Sequence, residues 1–401
     1  MTACPPPSPS PFSVPGDEGF GVYVHWPFCR AKCPYCDFNS RPGGEVDHQR
    51  WQAALLHDLE TQAARLDHRD RLLSSVFFGG GTPSLMDPAT VAAVIARVRA
   101  LWPTEGPLEV TLEANPGSVD AARLAALKDA GVTRLSLGVQ TLDADALKAL
   151  GRRHSVEQSL EALAQARALF DRVSVDLIYA RPGQTPEDWA HELEQVVALD
   201  PTHVSLYQLT VEPGTPLFTR IMQGDVVLPD EDTAVELFVI TRSVLADAGL
   251  PAYEVSNHAR PGQACRHNMV TWRGGDYLGI GPGAHGRLGT LEGPLATVAH
   301  ADPETWLTAV EAGAGGFGET TVLSREERAR EIVMTGLRLA EGVSESRLRR
   351  LTGLGFEDVL DPEGLALAAD EGLILAVGDA LAVSEAGLLL LNPVTAAILA
   401  P

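Results

Sequence analysis

The stretch Cys29-Arg-Ala-Lys-Cys33-Pro-Tyr-Cys36, inside YVHWPFCRAKCPYCDFNS (residues 23–40), decides how the rest of the chain is read. Three thiols fall within eight residues, directly after a short apolar run at 21–24 that reads as a buried strand. A loop this tight can aim three sulfurs at one point but cannot itself supply a fourth. Three thiolates suit a four-iron, four-sulfur cluster that leaves one iron open to an outside ligand. The alternative is structural zinc, which takes four protein ligands. His25, Cys265 or His267 could complete such a set.

Bulk properties narrow the classes. A chain of 401 residues with 45% hydrophobic residues can bury a large core and form one large domain plus a smaller one. A formal net charge of −22 argues against nucleic acid as a partner and against a broad electrostatic dock on anionic lipid. Five cysteines, three of them clustered, make no disulfide framework, so a reducing cytoplasm is expected, with peripheral membrane association left open through a local apolar surface. The opening MTACPPPSPSPFSVPG has the composition of a flexible lead-in over residues 1–18, and Cys4 within it reads as incidental. The apolar run LLLLNPVTAAILA (388–400) is broken by Asn392-Pro393 and is too short to span a bilayer; it reads as a packed terminal element, so no transmembrane segment is expected.

After the cysteines, short buried runs alternate with amphipathic ones. Helices are expected at about 47–66, 88–101, 119–130, 143–150, 155–170, 186–199 and 232–248. Strands are expected at 75–78, 108–112, 134–139, 173–178, 203–209 and 252–256. Such alternation implies a parallel sheet, either doubly wound or a partial (β/α)6-type barrel. The strand ends favour the barrel. They carry in turn the cysteines, the glycines of Gly79-Gly-Gly-Thr-Pro83, Glu113, Gln140, Asp176, and Tyr207 with Gln208. The carboxyl ends of barrel strands converge on one active face. Residues 19–290 are assigned to the barrel and 291–323 to an irregular bridge. Residues 324–401, helices followed by a small hairpin at 373–384, make a helical, winged-helix-like domain. No Lys, Arg or His follows Arg350, so a DNA-binding wing is not expected there.

The spacing Cys29-x3-Cys33-x2-Cys36, with Tyr35 before the last cysteine, resembles the radical S-adenosylmethionine (SAM) superfamily. In that superfamily the three thiols hold a 4Fe–4S cluster whose open iron takes the amino and carboxylate groups of SAM. More narrowly, FFGGGTPS, LEANPG, LSLGVQT, LGRRHS and VDLIYARPGQT in this order resemble the oxygen-independent coproporphyrinogen dehydrogenase-like family, and EIVMTGLRLAEGV (331–343) resembles its C-terminal domain. The resemblance places Tyr23, Tyr35, Gly80, Gly81, Thr82, Glu113, Gln140, Arg152 and Asp176 at SAM-contacting positions.

Two branches of that family differ in readable ways. The dehydrogenases carry a further cysteine two places after the third and a longer N-terminal extension. Here that place is Phe38, and 28 residues precede Cys29. The form CDFNS resembles the haem-chaperone branch, called HemW, which keeps the cluster and SAM site. The resemblance implies haem as cargo and acceptor haem proteins, membrane-bound respiratory enzymes among them, as partners. The branch's HNxxYW motif stands here as His267-Asn-Met-Val-Thr-Trp272, with Thr271 in place of tyrosine. His267 is then the candidate haem ligand and Trp272 a stacking partner. The competing expectation is radical decarboxylation of coproporphyrinogen III.

Overall fold

The computed structural model describes residues 18–65, 71–104, 106–290 and 293–399. The lead-in containing Cys4 lies outside them. Six strands taken in sequence pair side by side and all run parallel: β1 (Phe20–Trp26), β2 (Leu73–Gly80), β3 (Glu109–Ala114), β4 (Arg134–Gln140), β5 (Arg172–Tyr179) and β6 (His203–Gln208). Each is a nearly continuous buried run, as strands covered on both faces must be. Val22 and Val24 of β1 face Val76 and Phe78 of β2 across the ladder, and all four are fully buried. Helices return the chain between strands, from α1 (His48–Ala63) onward. Each principal one starts on a side-chain cap: Asp47, Asp87, Asp120, Ser155, Thr185 and Asp230 accept backbone N–H groups there. This is the partial parallel barrel expected from the alternation.

Beyond β6 the expectations need correction. The apolar alternation at 252–256 is not a strand. Glu254 accepts from Ser256 N–H at 3.1 Å and from the Asn257 amide, which closes a turn, and β7 (Asn257–Ala259) forms only after it, antiparallel to β6. Nor is 291–323 an irregular bridge. Strand β8 (Asp276–Ile280) pairs parallel to the free side of β1, and β9 (His285–Thr290), β10 (Gly293–Ala299) and β11 (Phe317–Val322) extend the same sheet antiparallel. Glycines at 286, 289 and 293 and mostly half-exposed side chains leave these strands without the period-two apolar signal. The shorter helix α2 (Arg266–Trp272), which bears His267, had no periodicity long enough to be seen.

Buried Asp58 of α1 ties this added edge to the barrel. Its carboxylate accepts from Gly281 N–H at 3.3 Å, Gly316 N–H at 2.9 Å and the Gln62 amide at 3.0 Å. Asp58→Ala strands two buried backbone donors and is expected to cost about 3 kcal/mol in urea unfolding. A loss below 1 kcal/mol would mean that water replaces the carboxylate.

The C-terminal helices Arg325–Gly336, Glu345–Thr352, Pro362–Asp370 and Leu391–Ile398 gather Ile332, Val333, Leu348, Val394 and Ile398 into a second core. A three-stranded sheet (Val343–Ser344, Ala380–Val383, Ile374–Val377) lies beside it. The LNPVTAAI run thus packs as a terminal helix. Among the described residues no helix is long and apolar enough to cross a membrane.

Candidate cluster and SAM site

The cysteine loop leaves β1 at its carboxyl end and is fixed from several sides. Behind it Trp26, Phe28, Trp51 and Trp306 pack ring on ring at 5.1–5.5 Å between centroids. Leu217 N–H donates to Pro34 O at 2.9 Å, and Lys32 Nζ to Phe38 O at 3.1 Å. The loop's exit is held by His25, whose Nε2 lies 2.9 Å from Asn39 O while Nδ1 lies 3.0 Å from the Tyr23 hydroxyl. The Asn39 amide reaches on to Pro282 O and Ala301 O, each at 2.9 Å, so the added sheet edge braces the loop.

Cys29, Cys33 and Cys36 are half-buried and open onto one cavity of about 550 Å3. Arg152 Nη1 donates to Cys33 Sγ at 3.3 Å, and the Ser40 hydroxyl lies 3.7 Å from Cys36 Sγ. Burial pushes the Cys29 thiol up, opposed by the hydroxyls of Thr82 and Ser40. Donors aimed at sulfur are what stabilise thiolates around an iron–sulfur cluster. Zinc fares worse. Both ring nitrogens of His25 are engaged, and Cys265 lies on the cavity floor against Glu109. The donor set fits a three-thiolate cluster.

The glycines supply the next wall. A Cβ on Gly81 would lie 2.8 Å from Phe28 O and 2.9 Å from Trp26 O, the latter already bound by Gly81 N–H at 2.6 Å. Gly80 sits at φ +106° over the His25 ring, and its N–H donates to Glu113 Oε2 at 3.2 Å. Burial in the wall, with Asp176 opposite, pushes the Glu113 carboxyl up to about 8 against the pull of that N–H. Asp176 accepts from the Ser136 and Ser174 hydroxyls at 2.7 Å each. Two carboxyl groups therefore face one space, and a ligand bringing hydroxyl donors or positive charge relieves their repulsion. SAM offers both.

Of the thirteen residues singled out from the sequence, Cys29, Cys33, Cys36, Tyr35, Gly80, Gly81, Thr82, Glu113, Gln140, Arg152 and Asp176 line this cavity. Tyr23 does not: it is held behind the wall, between the His25, Phe77 and His267 rings, and burial pushes its phenol up. Nor does His267 line it. It is 8% exposed, its Nδ1 lies 3.0 Å from the Ser75 hydroxyl, and it stacks within 5.2–6.1 Å of Phe77 and Tyr23. In this position the imidazole is enclosed in the core, outside the residues that line the cavity. Thr271, where the motif has tyrosine, bonds back to His267 O at 3.1 Å within its own helix. Trp272 lies under the Arg338 guanidinium, 5.0 Å from the ring centre.

Burial holds the His267 imidazole down at about 4. Its folded value lies below its unfolded one, so the stability it contributes is complete above about pH 6.5 and is lost as pH falls towards 4. His267→Ala is expected to lower the melting temperature and flatten that acid limb, read by thermal unfolding between pH 4 and 7. An unchanged melt and acid limb would mean that the buried ring contributes nothing to stability.

Sequence reading missed the cavity floor: Arg134, Ser205, Asn257 and Asn268 line it too. A signal existed on β4. In RLSLGVQ the alternate residues Arg134, Ser136, Gly138 and Gln140 are all non-apolar, the mark of a strand whose inner face is not packed with hydrocarbon.

A partial parallel barrel with three loop thiols, a glycine wall and facing carboxylates can hold a cluster with a nucleoside-like, cationic ligand beside it. Residues 23–196 match the model of the Radical SAM superfamily, and residues 323–390 match that of the HemN C-terminal domain. The mouse protein called radical S-adenosyl methionine domain-containing protein 1, mitochondrial, is 43% identical over 84% of this chain and 76% of its own. The Escherichia coli haem chaperone HemW is 37% identical over 92% of this chain and 96% of its own. The solved structure of E. coli coproporphyrinogen III oxidase (HemN), at 23% identity, shares the fold with a TM-score of 0.77 over 94% of this chain and 89% of that one. The chain belongs to the radical SAM superfamily and, within it, to the HemW branch of the coproporphyrinogen dehydrogenase-like family.

Proposed function

We propose that the chain binds haem and hands it to acceptor haem proteins in the cytoplasm or at a membrane surface, holding a 4Fe–4S cluster on Cys29, Cys33 and Cys36 with SAM beside it. The observation that carries this reading is Phe38. It stands where the related dehydrogenases carry a fourth loop cysteine, it lines the cavity, and it is 58% exposed. A large apolar ring left open at a cavity mouth suits the face of a porphyrin. The kinship with haem chaperones supports the same reading.

When bound, the cluster supplies an iron site for SAM and a route for one electron. The chain's own groups do the rest. Arg152 offers a guanidinium to a carboxylate beside Cys33, while Glu113 and Asp176 accept from hydroxyl or ammonium groups. The glycine wall lets backbone N–H and C=O approach the ligand closely. With Glu113 held at about 8 in the free protein, a ligand that donates to it draws the carboxyl back towards its ordinary range and releases a proton. SAM affinity should then rise by up to about tenfold per pH unit between pH 6 and 8 and level off above. Glu113→Gln should bind weakly with no such slope, and a flat profile for the native chain would remove Glu113 from the site.

The deciding experiment is anaerobic cluster reconstitution, then addition of haem in one arm and of SAM, reductant and coproporphyrinogen III in the other. Stoichiometric haem uptake without protoporphyrinogen is the expected result. Catalytic protoporphyrinogen formation would overturn the chaperone reading in favour of the dehydrogenase.

A further inference from the structure

The cavity continues below Glu113 and Asp176. It follows the inner face of β4 from Gln140 down to Arg134, a descent of about 20 Å at the usual strand rise. Parallel barrels commonly fill this volume with branched apolar side chains. Here the floor is polar.

Arg134 is 2% exposed and lines the floor, yet among the described residues its guanidinium has neither an ion pair nor a hydrogen bond. The carboxyl groups whose charge acts on it, Glu109, Asp176 and Glu113, make no ion pair with it; Glu113 accepts from Gly80 N–H, and the other two are committed elsewhere. Glu109 is ion-paired to Arg172 and accepts from Arg266 N–H at 2.8 Å and from the Cys265 thiol at 3.6 Å. Asp176 holds the two serine hydroxyls described above. On the same floor Asn257, 5% exposed, leaves its amide oxygen without a partner. Buried charges are as a rule paired, and an unpaired one is strongly destabilising. A planar fork of donors is the natural partner of a carboxylate.

We infer that the cavity floor is a carboxylate-binding subsite with Arg134 as its counter-ion, and that it receives a propionate arm of the tetrapyrrole. The identity of the ligand rests on the haem reading above. The other carboxylate at hand is that of SAM, but Arg152 beside Cys33 already serves the upper end of the cavity. Arg134 stands at the far end, where a different ligand must reach.

The test uses the full chain with Arg134→Met and Arg134→Lys, and three probes: haem, haem dimethyl ester and SAM. The native chain should bind haem about tenfold or more tightly than the ester, whose propionates are capped. Arg134→Met should bind both at the ester's affinity, Arg134→Lys should recover part of the difference, and SAM affinity should stay unchanged. An unchanged haem-to-ester ratio in Arg134→Met, or loss of SAM in place of haem, would overturn the inference, as would a lower melt with both pigments lost alike. If the native chain takes up neither pigment, the haem reading fails and the subsite is judged by propionate alone. Thermal protection of the native chain but not of Arg134→Met by millimolar propionate would uphold it, and equal or absent protection would reject it.

Discussion

Cys33→Ala chains should emerge from anaerobic reconstitution without a stable cluster, with iron falling from about four per chain to less than one and the broad visible absorption of the cluster lost. The loop cannot compensate. Its other thiols, Cys29 and Cys36, supply only two ligands, and the fourth described cysteine, Cys265, is 1% exposed on the cavity floor. The substitution also leaves the Arg152 guanidinium, which donates to Cys33 Sγ, facing an empty place beside the half-buried Tyr35 phenol. SAM binding should therefore fall with the cluster, while the melting temperature of the apoprotein changes little, because Cys33 is half-exposed and packs no core. Retention of a full cluster in Cys33→Ala would mean that another side chain enters the coordination sphere.

The second large effect is expected at Gly81. A methyl group there points at the carbonyl oxygens of Trp26 and Phe28, 2.9 and 2.8 Å away, and backbone cannot step aside as a flexible side chain could. Those carbonyls already accept from Gly81 and Thr82 N–H at 2.6 and 2.9 Å, the two bonds that fasten the glycine wall to the root of the cysteine loop. Gly81→Ala should therefore cost about 3 kcal/mol and abolish measurable SAM binding in one step. Gly44→Ala is the control, because nothing lies within 4 Å of its Cβ position and both properties should be unchanged. Chemical unfolding and SAM titration on the two variants read this out. A stable Gly81→Ala chain that still binds SAM would mean that the wall relaxes more than its hydrogen bonds allow.

The parts of the fold that could be read from residues alone share one physical cause. Strands β1 to β6 are buried on both faces, so their apolar runs stand out. Their connecting helices announce themselves through Asp, Ser and Thr caps and amphipathic spacing. The loop thiols, the glycine wall, Glu113, Gln140 and Asp176 were legible because strand ends rich in polar groups and glycine have no packing reason to exist. What stayed hidden lacked those signals. Strands β9 to β11 are half-exposed and rich in glycine, so no alternation marks them. The Ala252–Ser256 run mimics a strand because Tyr253 and Glu254 are buried for other reasons: the phenol bonds to His203 at 2.9 Å and the carboxylate closes a turn. The surroundings of His267 stayed hidden too, since a sequence gives no sign that Ser75 and two aromatic rings enclose the imidazole. Arg134 was read as the first residue of a strand, and only its unpaired burial marks it as part of the cavity.

The most direct measurement is haem transfer. The reconstituted chain, loaded with one equivalent of haem, is mixed with an apo haem protein, and the acceptor's absorption is followed against the same amount of free haem and, in a parallel arm, against the Phe38→Ala chain. Ordered transfer from the native chain, with Phe38→Ala loading haem weakly and no coproporphyrinogen III consumed when that substrate is supplied with SAM and reductant, is the predicted result. Haem that never loads, or that loads but never leaves while coproporphyrinogen III is converted, would contradict it.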